Sequence, residues 1–169
     1  MPPNEHSARA QPGTRGEIMA NVHSAFMPLG RLIGTWKVQG RTLRATADDV
    51  FGRIAIQPIL DGAYLELRGH QIFKGLQLDI AYLEIIRIDA TKGTYPSDVY
   101  LTKGGGPGAG AMRFEWLVED NGMIVHRGGG ATYRGTFSPD GTALQGGVRP
   151  DSSADEGMDT AYDVTLTRV

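Results

Sequence analysis

Ala131-Thr132-Tyr133-Arg134-Gly135-Thr136-Phe137-Ser138-Pro139-Asp140-Gly141 decides how this chain is read. Ala131, Tyr133, Gly135 and Phe137 share one side of an extended backbone, and Thr132, Arg134 and Thr136 share the other. That two-residue period belongs to a half-buried strand. Ser138-Pro139-Asp140-Gly141 then ends the run, because proline presets φ and glycine tolerates positive φ in a tight turn. The same unit recurs in both directions. Thr35 to Leu43 sets Trp36, Val38 and Gly40 against Lys37, Gln39 and Arg41. Val50 to Leu60 is closed by Asp61-Gly62 and followed by Ala63 to Phe73, which predicts a hairpin. Leu78 to Ile88, dense in Ile and Leu, ends at the turn Asp89-Ala90-Thr91-Lys92-Gly93. Tyr95 to Thr102, Met112 to Val118, Met123 to Arg127, Thr142 to Val148 and Met158 to Val169 complete the series. Only Ser24 to Ile33 has a helical period, with Ser24 as its cap and Gly34 as its stop.

About nine or ten strands joined by hairpin turns, with one short N-terminal helix, predict an all-β protein: an up-and-down antiparallel β-barrel. Closure removes the edge strands that an open meander would expose. An open sheet covered by helices is disfavoured because no second helix exists to cover a face. Gly40, Gly52, Gly69 and Gly135 fall inside strands and are expected to relieve crowding where strands bend. Residues 1–22, rich in Pro, Ala, Arg and Glu, read as a disordered tail, with Met19 a second candidate start, and residues 23–169 as one barrel domain.

Composition narrows the function classes. The chain has 169 residues, 24 of them glycine, and no cysteine, which removes disulfide frameworks, thiolate metal sites and cysteine nucleophiles. Seventeen basic against 19 acidic residues, a net charge of -2, lack the electrostatic footprint of nucleic-acid binding. No apolar run is long enough for a membrane helix, and the N-terminus has no signal-peptide pattern, so a cytoplasmic location and no membrane partner are expected.

Four stretches carry a resemblance. Leu32-Ile33-Gly34-Thr35-Trp36, Leu60-Asp61-Gly62-Ala63-Tyr64-Leu65, Tyr133 to Gly141 and Tyr162-Asp163-Val164-Thr165-Leu166-Thr167-Arg168-Val169 together resemble a widespread bacterial family of lipocalin-like (calycin-type) barrels with no assigned activity. The helix running into a Gly-x-Trp first strand is more distantly similar to nitrobindin-like and fatty-acid-binding barrels. The resemblance implies a barrel with an internal cavity, with the Trp36 indole plugging its closed end, and no particular reaction.

The glycine loop Gly104–Gly110 precedes a strand and not a helix, so it lacks the helix N-terminus that phosphate cradles use. A portal or hairpin loop is the expected reading. Nitrobindin-like barrels hold haem through a histidine near the last strand. Here the last strand has Tyr162 instead, and the histidines are His6, His23, His70 and His126. No cofactor and no metal are expected. Single histidines on strands are usually surface or hydrogen-bonded residues, though His70 and His126 could meet across strands.

Tyr64, Glu66, Arg68 and His70 share one face of their strand, while Leu65, Leu67 and Phe73 take the other. The favoured arrangement fills the interior with the leucines and phenylalanine. In the opposite arrangement Arg68 pairs with a ligand carboxylate, and Glu66 and His70 form an acid–base pair. Ile80, Tyr82, Glu84 and Ile86 pose the same question on the next strand.

The candidate ligand-binding set is therefore Trp36, Val38, Tyr64, Arg68, His70, Tyr82, Phe114, Trp116, Tyr133 and Tyr162, with Phe137 and Leu166 as further lumen residues. The expected function is binding or carriage of a small hydrophobic or amphipathic molecule without catalysis. The alternative is an isomerase or hydrolase that uses carboxylate, histidine or tyrosine groups in the lumen. Leu78–Ile88 is also the strand through which a homodimer is expected, should its outer face prove apolar.

Overall fold

The structure, a computed structural model, describes residues 22–102, 111–152 and 161–169. The expected tail to residue 21, the glycine loop and most of the last polar loop lie outside the described residues. A 3-10 helix, Ser24–Leu32, leads into ten strands: β1 (Gly34–Thr42), β2 (Val50–Ile59), β3 (Tyr64–Phe73), β4 (Leu78–Ile86), β5 (Tyr95–Leu101), β6 (Met112–Val118), β7 (Ile124–Gly128), β8 (Ala131–Phe137), β9 (Ala143–Pro150) and β10 (Tyr162–Arg168). Each pairs antiparallel with its sequence neighbours, and β10 returns to β1 to close the barrel. The all-β, up-and-down expectation therefore holds.

Alternation decides which side chains enter the lumen. On β1 Trp36, Val38, Gly40 and Thr42 are buried and their neighbours exposed. Register carries this parity around the wall, since directly opposed residues face the same way: Val38 sits opposite Leu166, Leu67 opposite Glu84, and Trp116 opposite His126. On β3 the apolar set points inward, with Leu65, Leu67 and Phe73 all buried. Glu66, Arg68 and His70 stand on the outer face.

The helix closes one end. Phe26, Leu29 and Leu32 are wholly buried beneath it, each such side chain contributing about 1.5–3 kcal/mol. Proline and glycine at positions 28 and 30 keep it short. Its cap is His23 rather than the expected Ser24: the His23 ring accepts from the Ala25 N–H at 3.2 Å, because the chain turns into the helix one residue early. At the other terminus Trp36, fully buried as the plug, donates Nε1–H to the Leu32 carbonyl at 2.7 Å. Arg168 lies over the Trp36 ring, 4.1 Å from its centroid, and donates to the carbonyls of Ile33 and Arg31, both at 2.7 Å. A guanidinium thus satisfies the last carbonyls of the helix, where a positive charge is also favoured by the helix dipole.

Gly69 and Gly135 serve a purpose beyond strand bending. The Tyr82 ring occupies the space a side chain at 69 would need, and the Tyr133 ring lies against both Gly135 and Gly146. These glycines seat tyrosine rings flat against the inner wall. Gly40 and Gly52 instead let the backbone of a neighbouring strand approach closely.

Candidate functional site

Two connected groups of lining residues define the lumen. An outer chamber of about 300 Å³ lies at the end away from the helix, walled by residues such as Phe73, Ile80, Leu101 and Phe114. An inner chamber of about 120 Å³ is walled by residues such as Ile54, Leu67, Leu144 and Leu166. Gln71, Tyr82, Glu84, His126, Tyr133 and Tyr162 line both, and so form a polar waist between two apolar regions.

Glu84 is the centre of that waist. It projects inward from β4 and is only 1% exposed. Its Oε1 accepts from Trp116 Nε1 at 2.6 Å and faces His126 Nε2 at 3.1 Å. An ionised carboxylate can only accept, so Nε2 carries the proton of that bond. Burial is the largest influence on the Glu84 carboxyl and works to raise its pKa, but the charge of His126 and the hydrogen bonds from His126 and Trp116 together outweigh it. The Ser97 hydroxyl, buried nearby and short of a full hydrogen bond, also favours the charged form. The carboxyl is therefore held below its ordinary value. His126 is fixed in turn by stacking, with its ring 4.0 Å from that of Trp116 and 4.9 Å from that of Phe114.

The three phenols of the waist stay neutral. Burial pushes Tyr82 and Tyr133 well above the ordinary tyrosine value, and the nearness of a second ionisable phenol, Tyr162, raises both further. Burial likewise raises Tyr162 to about 12, against the opposing hydrogen bond from Gln71. The Tyr133 hydroxyl is buried with no hydrogen-bond partner. Such an unmade bond costs about 1–3 kcal/mol.

Of the candidate residues, the structure brings Tyr82, Phe114, Trp116, Tyr133 and Tyr162 together around the chambers. Trp36 and Val38 face inward but pack near the plug, away from either chamber's lining. Tyr64, Arg68 and His70 are on the outer wall, out of reach of a lumen ligand. The outer set is already paired: Arg68 clamps Glu66 through two bonds of 2.8 and 2.9 Å, and His70 meets Asp79 at 2.7 Å. Arg68 is thus not the partner of a carboxylate inside the barrel, and Glu66 and His70 do not form an acid–base pair. His70 and His126 lie on opposite sides of the wall and do not meet.

Glu84, His126 and Gln71 were absent from the ligand-binding set. The signal for His126 was the short turn after β6: it sets Trp116 directly opposite His126, so an inward tryptophan requires an inward histidine. Among the described residues, no group of three His, Asp or Glu side chains is arranged to hold a metal ion.

A larger depression, about 480 Å³, lies outside the barrel over β1, β9 and β10 and is edged by Gln39, Arg41, Asp48 and Asp163. It is open and polar, whereas the buried groups with shifted pKa values converge in the lumen. No protein-family model matches the chain, and no curated protein matches it significantly. The closed ten-strand barrel is consistent with a lipocalin-like plan. No helix among the described residues is long and apolar enough to cross a membrane.

Proposed function

We infer that the protein binds a small amphipathic molecule inside its barrel. The observation that carries this is the lumen itself: an apolar chamber of about 300 Å³ with a few convergent polar groups at its floor. That combination, at the lower end of the roughly 300–1,000 Å³ range of ligand pockets, is how small-molecule sites are usually built. A purely structural interior would be filled to close packing and would not leave the Tyr133 hydroxyl unpaired. The resemblance of the helix, the Gly-x-Trp strand and the final strand to lipocalin-like barrels supports the same reading.

The test uses 2-phenylethanol, a neutral probe with an apolar ring and one hydroxyl, followed by tryptophan emission and calorimetry. Trp116 lines the inner chamber, so its emission should change saturably with one probe per chain. Val148→Phe, which adds a ring where the two chambers meet, should remove the response while the barrel stays folded by circular dichroism. Absence of saturable binding to the folded wild type, or full binding by the filled variant, counts against a lumen site.

A further inference from the structure

We propose that the lumen selects a cationic amphiphile, an organic molecule whose protonated nitrogen lies on Glu84 while its apolar body fills the outer chamber. This rests on the reading of the lumen as a binding site and adds the sign of the ligand's charge.

Among the described residues Glu84 is the one carboxylate lining the chambers, and neither chamber is lined by a lysine or an arginine. Arg168 faces inward at the closed end, where the carbonyls of Ile33 and Arg31 and the Trp36 ring engage its guanidinium. Arg68 is outside the wall. Beside the aliphatic walls, the rings of Tyr82, Tyr133 and Tyr162 line both chambers, and aromatic faces attract cations. The buried, unpaired Tyr133 hydroxyl supplies a further oxygen that can accept a hydrogen bond. A ligand anion entering this space would meet a buried carboxylate of its own sign. Its sole compensation would be an imidazole that already serves Glu84.

The other titratable groups facing the pair are Tyr82 on the same strand, Tyr133 on β8 and Tyr162 on β10, and all are phenols kept neutral by burial.

Three probes with the same phenylethyl skeleton test this: 2-phenylethylamine, phenylacetate and 2-phenylethanol, measured by calorimetry on the full chain. The amine should bind wild type at least tenfold more tightly than the acid at pH 7.5. Glu84→Gln should shrink the ratio of amine to acid affinity at least tenfold. The ranking on wild type decides the matter even if that variant does not fold. Acid binding as tight as amine binding, or a ratio untouched by Glu84→Gln, overturns the proposal while leaving alcohol binding intact. Binding by none of the three overturns the lumen site as well.

Discussion

His126→Phe isolates the charge held at the centre of the barrel. The replacement ring keeps a flat aromatic surface between Trp116 and Phe114 and removes only the imidazole's charge and donor. Glu84 then keeps the Trp116 indole as its donor and no opposite charge. A buried carboxylate stranded in this way escapes by taking up a proton. With an ordinary glutamate value near 4.3, protonation costs about 3.7 kcal/mol at pH 7 and about 1 kcal/mol at pH 5. The first figure also falls within the roughly 3–5 kcal/mol range for breaking a buried pair. In the wild type the sign runs the other way. Glu84 is depressed in the folded state, so its stabilising contribution is present above the unfolded value and disappears as pH falls through the folded one. The gap between wild type and variant should accordingly be about 3–4 kcal/mol at pH 7 and close to 1 kcal/mol at pH 5. Urea denaturation at both pH values, with the slope checked for constancy, measures it. Glu84→Gln added to the variant should recover most of the loss at pH 7 and remove its pH dependence. An equal loss at the two pH values, or one below about 1 kcal/mol at pH 7, refutes the charged pair.

Three other outcomes follow from the geometry. Gly69→Val forces the Tyr82 ring off the wall and should cost at least about 1–3 kcal/mol by overpacking, seen as a melting temperature lowered by several degrees. Arg68→Ala should leave 2-phenylethanol affinity unchanged within twofold, because Arg68 lies on the outer face; a larger loss contradicts its placement. Asp140 accepts from the Ser138 hydroxyl and from the Thr142 N–H and hydroxyl, which holds its carboxyl near about 2; carbon-detected NMR titration should find it still ionised at pH 3.

The strands could be read from alternation and turns with little loss. The run at 131–137 and the boundaries of β6 match the structure residue for residue. Pattern alone identified the faces of β3 but not the purpose of its glycine. Gly69 accommodates a tyrosine from the next strand, a relation set by register, and a strand's own sequence does not contain its neighbour's register. The waist was partly hidden for the same reason. Glu84 and Tyr82 alternate with Leu83 and Ile85, so either face of β4 could have been taken as the apolar one. Half-buried apolar side chains lie outside and the carboxylate lies inside, the reverse of what hydrophobicity favours. A reading based on burial energy misplaces such a group, because its cost is offset by partners more than 30 residues away, Trp116 and His126.

The return of β10 to β1 sets how the chain can reach this state. Nine of the ten strand pairings join sequence neighbours, so each can zip locally across the turn or loop between them with little loop-closure entropy. The tenth, together with the grip of Arg168 on Arg31 and Ile33, joins residues 135 and 137 positions apart. Seam and plug tether meet at the same corner of the barrel. Closure is therefore a single long-range event that locks the helix, the first strand and the last strand in one step. Arg168 works as a latch, and until it engages, the lumen has neither a floor nor a complete wall.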